Sequence, residues 1–369
     1  MVFDEVRNRA YLRAMEQVIT PESVVLDLGA GIGVLGLLAA KAGAKRVYCV
    51  EPSPVANHIP ALAKANGVGD RVVALRGRIE DVALPEQVDV LLSVFTGNLL
   101  FTEDLLPSLY HARDRWLKPG GVMIPDRARL LLAGVEASKR YSETAGRYRR
   151  QSLGIDFSVI APNVANNFYL MERGDDAPQP ITSTAIAIEI DLRTTHESRV
   201  CWKSGLDVLR DGEMHGLLGW IEIQLGDALL STGPNGADVH WRPCLMPVAA
   251  PLQVRQGQSV VTEFQFLDDS HIVWSLAVDG NSQRQSTMLG NPDTAIDVML
   301  SAAACSNALG PEGEFVARAL AAMREGQSNR VIADALHKAM PQHFRDERHA
   351  LKRVGALSAR YRHHPLRKP

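Results

Sequence analysis

The residues of this chain best placed for chemistry surround a glycine turn. An apolar run, Val24, Val25 and Leu26, reaches Asp27, and Gly29, Gly31 and Gly33 follow. A helix-like stretch comes next, and a second apolar run over residues 47–50 stops at an acid, Glu51. Glycines let a backbone approach a bound group closely, and a carboxylate ending the second strand is placed to accept from ribose hydroxyls. Nicotinamide, flavin and S-adenosylmethionine sites all use related turns. Here Asp27 stands two residues before the turn, where a carboxylate engages an ammonium group directly or through water. Gly36 does not complete the dinucleotide pattern G-x-G-x-x-G. Both details favour S-adenosylmethionine. The competing reading is a tight turn in an ordinary α/β domain, but glycines and both acids occurring together at strand ends favour a site.

The elements that must hold this turn follow from pattern. Residues 24–28, 46–50, 72–76, 88–93 and 121–124 read as strands with helical stretches between most of them, so residues 1–126 predict a mostly parallel doubly wound sheet. From about residue 128 to 278 the pattern changes. Runs at 185–190, 217–225, 260–266 and 272–278, separated by Gly, Asn, Asp and Pro turns, predict a β-barrel or sandwich. A helical insertion is expected at 141–151, and helices at 314–324, 329–340 and 345–361. In the last group Gly326 supplies a turn, Ser328 an N-cap, and Val331, Ile332, Ala335 and Leu336 one apolar face.

Length and composition bound the rest. With 369 residues, 46% of them hydrophobic and 22% charged, the chain has the make-up of a multidomain globular protein. The amino-terminal MVFDEVRNRAYLRAM is charged and helix-like, unlike a secretory signal, and no apolar run approaches the ~20 residues of a membrane span. The four cysteines lie far apart without a CxxC pair, so neither a metal nor a disulfide framework is expected, and the cytoplasm is the expected location. The net charge of −2 hides a basic end: residues 311–369 carry 12 Lys and Arg against 6 Asp and Glu. Such an end is a solvated face or a surface for nucleic acid or an acidic partner.

With these pieces in place, residues 1–280 resemble the protein arginine methyltransferases. The resemblance rests on DEVR at 4–7 with Tyr11, the LDLGAGIGVLGLLAAKAGAKRVYCVE block, GRIEDVALPEQVD at 77–89, LYHARDRWLKPGGVMIPDRARL at 109–130, LGIDFS at 153–158 and VHW at 239–241. It implies a Rossmann-like S-adenosylmethionine domain (1–126), a β-barrel (127–289) with a dimerisation arm at about 141–167, and a small helical domain (290–369). It also implies a homodimer. Arg7 would pair with the methionine carboxylate, Asp27 would lie near the amino group, and Gly29, Gly31 and Gly33 would line the turn. Glu51 would accept from the ribose, and Glu80 would lie beside the adenine amine.

The acceptor end departs from the family. Its hairpin loop of the form SEWMGYxLxxE reads SVFTGNLLFTE here, so Glu103 fills the second acid position and Val94 the first. Two carboxylates clamp a guanidinium, and losing one from a buried cation costs ~3–5 kcal/mol, several orders of magnitude in rate. The family's Asp–His pair is kept as Asp4 and His240, a general base or proton sink. The tyrosine-rich helix that precedes DEVR in the family has no counterpart before Met1, so a more open site or another lid is expected. The sequence thus predicts an enzyme that converts S-adenosylmethionine to S-adenosylhomocysteine while methylating a nitrogen or oxygen of a peptide or small molecule, not ordinary peptidyl arginine. Arginine or guanidine methylation with a substitute carboxylate is the first alternative, and a non-catalytic S-adenosylmethionine-binding scaffold the second. For the terminal helices the readings are a packed cap, a peptide- or protein-docking module, or a nucleic-acid contact, with HHPLRKP as a disordered tail.

Overall fold

The computed structural model describes residues 1–171, 178–267, 271–291, 293 and 308–361. The expected tail HHPLRKP lies outside them. The chain forms two compact units, Met1–Ala295 and Ile296–Pro369.

The first unit opens with α1 (Glu5–Val18), capped by Asp4, whose side chain accepts from the Arg7 amide. Five strands follow: β1 (Val24–Leu28), β2 (Arg46–Glu51), β3 (Val72–Arg76), β4 (Val88–Ser93) and β5 (Leu117–Ile124). They pair in parallel in the order β3-β2-β1-β4-β5. Every residue of β1 is buried, as a strand covered on both faces requires. The strand β5 begins four residues earlier than the pattern predicts and runs through Pro119, which an edge strand tolerates. Helices α2 (Val34–Lys41), α3 (Ile59–Ala65) and α4 (Leu106–Trp116) lie between strands. The strand order reverses between β1 and β4, and the carboxyl ends there form the crevice where such sheets bind ligands.

The rest of this unit is antiparallel. Its strands are β6 (Arg127–Glu136), β7 (Gln151–Ser152), β8 (Ile155–Asp156), β9 (Tyr169–Leu170), β10 (Gln179–Pro180), β11 (Ala185–Asp191), β12 (Val200–Asp207), β13 (Gly212–Leu225), β14 (Ala228–Ser231), β15 (Cys244–Val254), β16 (Ser259–Phe266), β17 (Ile272–Val278) and β18 (Asn281–Ser286). One sheet is ordered β10-β6-β13-β15-β9, with β11 on β6 and β14 on β13; the other is β12-β16-β17-β18. The fully buried Trp274 of β17 joins them by donating Nε1 to the Pro247 carbonyl at 2.9 Å. The long strand β15 escaped the sequence pattern because Pro247 and Pro251 demote it. A register shift between Met214 and Gly216 absorbs the irregularity.

The expected helix at 141–151 is only partly present. A short α5 (Ser138–Glu143) and a 3₁₀ turn at Arg147–Arg149 give way to the β7–β8 hairpin, followed by α6 (Ala161–Ala165). Leu153 and Gly154, both with positive φ, supply the two-residue turn of that hairpin.

The second unit holds α7 (Pro311–Arg324), α8 (Asn329–Ala339) and α9 (Glu347–Tyr361) around Phe315, Ile332, Leu336, Phe344 and Val354. Ser328 caps α8 by accepting from the Val331 amide. The apolar face of α8 is Ile332, Ala333, Leu336 and Met340; Val331, about 100° round the helix from Ile332, is 52% exposed, and Ala335 is exposed too. Among the described residues no helix is long and apolar enough to cross a membrane.

Candidate functional site

At the carboxyl end of β1 the glycine turn is built as the spacing predicts. Gly29, Gly31 and Gly33 have φ of 71°, 56° and 87°, and a Cβ at Gly29 or Gly31 would meet open space. Their role is therefore backbone conformation and room for a ligand. Glu51 holds the turn from the end of β2: Oε2 accepts from the Gly31 amide at 3.0 Å and Oε1 from the Ser53 amide at 2.8 Å. Each oxygen keeps a lone pair, so ribose hydroxyls could still be accepted. Gly36, set aside by the motif count, has a packing role: a Cβ there would strike the Cys49 thiol and come 3.1 Å from Asp27 Oδ2.

Asp27 is 2% exposed, and Oδ2 accepts from the Gly36 amide at 2.7 Å. Burial pushes its carboxyl up to about 7, with the Gly36 hydrogen bond and Arg7 pulling the other way and Glu51 adding to the rise. One oxygen is thus committed to fastening α2 onto β1. Arg7 is 3% exposed. Its Nη2 donates to the Met1 carbonyl at 3.0 Å and to Asn8 Oδ1 at 2.7 Å, while Nη1 is buried with no hydrogen-bond partner. A buried charged donor without an acceptor costs upward of about 1–3 kcal/mol. The carboxylate of a methionine moiety would fit this donor.

Glu80 lines a cavity of about 330 Å³ together with Gly29, Val50, Val94, Asp104 and Ser108. Ser108 Oγ donates to Glu80 Oε1 at 2.5 Å, and Arg78 lies 3.4 Å from Oε2. Partial burial would raise this carboxyl, but the bonds from Ser108, its own backbone amide and Arg78 hold it below its ordinary value. Ser108 and Asp104 went unnoticed in the sequence, where nothing in their spacing marks them. Asp104 sits in the left-handed region, φ 48°.

The acceptor segment, residues 94–105, contains no strand and is an irregular loop, where the resemblance implied a hairpin. Leu99, Leu100 and Phe101 are buried, so their apolar side chains anchor the loop. Leu99 packs over Gly219 of β13, where a Cβ would lie 2.6 Å from its Cδ2. Trp241 Nε1 donates to the Thr96 carbonyl at 3.0 Å, and the Arg242 amide donates to Asn98 Oδ1 at 2.6 Å. Tyr11 ties α1 to the end of β4, where the loop begins, by donating to the Ser93 carbonyl. Glu103 is exposed and lies over Gly97; partial burial raises its carboxyl. Its neighbour Asp104, not Glu103 itself, lines the cavity with Val94.

The structure brings Asp4 and His240 together across 236 positions. Asp4 Oδ2 accepts from the His240 amide and meets its Nδ1, both at 2.8 Å. For Asp4, burial is outweighed by the bonds from His240 and Arg7, so its carboxyl titrates low. For His240, burial and the Arg7 charge outweigh Asp4, so its pKa also falls. The pair is therefore an ionised aspartate orienting a neutral imidazole, with Nε2 left for proton uptake.

Two family models match the chain: "Methyltransferase domain" over residues 25–121 and "Arginine methyltransferase oligomerization subdomain" over residues 126–278. Protein arginine N-methyltransferase 8-B of Danio rerio is 32% identical over 270 residues, covering 71% of this chain and 64% of its own length. Probable protein arginine N-methyltransferase 6 of Arabidopsis thaliana is 30% identical over 306 residues, 70% of each chain. Among solved structures, the Trypanosoma brucei PRMT1 enzyme-prozyme heterotetrameric complex with AdoHcy superposes with a TM-score of 0.69 at 26% identity, covering 78% of this chain and 96% of that one.

Proposed function

The chain belongs to the protein arginine methyltransferase family, and from that premise we propose that it is an S-adenosylmethionine-dependent methyltransferase. When bound, S-adenosylmethionine supplies an electrophilic methyl group. The observation that carries the reading is Arg7 Nη1, buried and unpartnered close enough to Asp27 to act on its charge. On this reading Arg7 takes the methionine carboxylate, Asp27 the amino group, Glu51 the ribose and Glu80 the adenine amine. Glu103 positions the acceptor, and His240, oriented by Asp4, takes up the proton that transfer releases.

With Val94 in the family's first acid position and Glu103 in the second, the acceptor is a nucleophile less cationic than guanidinium: an amide, imidazole or hydroxyl of a peptide or small molecule. A second reading has a specific support. Asp104 shares the cavity with Val94, and a carboxylate there could serve as the second arm of a guanidinium clamp, in keeping with what the relatives are named for. The purified protein would be given S-adenosylmethionine with arginine peptides, free arginine and neutral nucleophiles, and the products mapped by fragmentation. Wild-type methylation of guanidinium, lost in Asp104→Asn, would establish the second reading and overturn the first. S-adenosylmethionine binding without transfer to any acceptor would sink both.

We also assign the arm at 141–167 to a homodimer contact. Leu153, Ile155 and Val159 are 100%, 58% and 80% exposed there, an apolar set that monomers rarely leave in water. Residues 290–369 we read as a separate docking module for a peptide or protein.

A further inference from the structure

The strands β11 and β12 follow one another in the chain without forming a hairpin. An antiparallel bridge joins Thr182 to Val208 beyond one end, where the Ser183 amide also donates to the Asp207 carbonyl at 2.7 Å. Past that point the two strands part. Among the described residues β11 is laddered only to β6 and β12 only to β16, so each keeps one unpaired edge. Where they part lies a cavity of about 650 Å³, lined by Ala187 and Ile188 of β11, Val200 and Cys201 of β12, and Gln265 and Phe266 of β16. Ala187 is the extra residue of a β-bulge: Ile186 stands opposite Leu131 and Ile188 opposite Leu130. Bulges of this kind re-aim a strand at a sheet edge.

The opening is fixed to the acceptor loop. The Phe101 ring, two residues before Glu103, packs 5.4 Å from Phe266. The segment joining the two strands is clasped by α4: Arg113 Nη1 donates to the Leu192 and Thr195 carbonyls at 2.7 Å, and Tyr110 donates to the Glu197 carbonyl at 2.6 Å.

We propose that this opening receives an extended stretch of the acceptor polypeptide, which pairs with an unpaired edge of the seam and drops an aliphatic side chain onto Ile188, Val200 and Phe266. The edges argue for a polypeptide, because alternating amides and carbonyls at strand spacing are matched by another extended backbone. Continuity with the Glu103 loop argues that this polypeptide is the acceptor; that part rests on the methyltransferase reading, whereas the docking does not.

Three labelled dodecapeptides with one central arginine separate the possibilities by anisotropy titration of the full-length protein. One carries a Val-Thr-Val-Thr flank, the second Gly-Ser-Gly-Ser, and the third the Val-Thr flank with alternate backbone amides methylated. The Val-Thr peptide should bind at least about tenfold tighter than the other two, the span a few strand hydrogen bonds and one buried side chain supply. Ala187→Phe and, from the opposite wall, Cys201→Trp should each erase that preference without changing S-adenosylmethionine affinity, which also shows that the variants are folded. Equal binding of the three peptides, or a preference that survives both variants, overturns the proposal. Peptide docking without methyl transfer to any acceptor would instead overturn the methyltransferase reading.

Discussion

Asp4 is shared between an N-cap and a histidine, which makes its two roles separable. Asn in its place keeps an oxygen for the Arg7 amide, so α1 should lose only a few tenths of a kcal/mol. The loss falls on His240, whose pKa is already lowered by burial and which Asp4 alone supports. We expect the rate for wild type to climb with pH through an apparent pKa below the ordinary histidine value. In Asp4→Asn that rise should move to still lower pH with a reduced plateau; a pH profile of kcat/KM reads both. The sign for stability follows from the same shift. As pH falls through about 6.5, the unfolded chain takes up a proton that buried His240 refuses, so stability drops toward acid. Glu103→Gln should lower kcat by about a hundredfold or more, since a positioned carboxylate of this kind supplies that much, while calorimetry shows S-adenosylmethionine affinity unchanged. Equal losses of both would place Glu103 in the binding site for the donor.

Elements decide which of these residues could be foreseen. The turn from Asp27 to Glu51 was legible because its chemistry and its fold share one local signal: two apolar runs, glycines and terminal acids. The inner strands β1, β2 and β4 were legible for the same reason, since continuous burial writes itself as continuous apolar sequence. The acceptor loop was not. The apolar run Leu99, Leu100 and Phe101 is a buried coil only through its packing against Gly219 and Phe266, more than a hundred residues away. Asp104 and Ser108 were invisible because a cavity wall assembled from several strand ends, a loop and α4 has no period. The Asp4–His240 pair came from resemblance; no local rule joins residues at opposite ends of a domain. Gly36 gives the test at this scale. Ala there would force its methyl against Cys49 and Asp27, so Gly36→Ala should cost about 1–3 kcal/mol in chemical denaturation, typical of overpacking. A neutral result would mean that α2 can ride up from β1 freely.

For the whole molecule, the exposed arm carries the prediction. Leu153→Asp in a hairpin turn leaves the fold intact, because the side chain is fully exposed, yet it places a charge where the proposed partner would sit. Sedimentation should show a dimer for wild type and a monomer for the variant. A wild-type monomer at micromolar concentration would discard the arm's assignment.

Arg7 has a consequence for the order of events. Its Nη1 is the group proposed to take the methionine carboxylate, while its own amide is held by Asp4, which grips His240, the proposed proton acceptor. One helical turn therefore belongs to both ends, and filling the first firms the second. Donor should bind before acceptor in a compulsory sequence. S-adenosylhomocysteine would then inhibit competitively against S-adenosylmethionine and non-competitively against the acceptor.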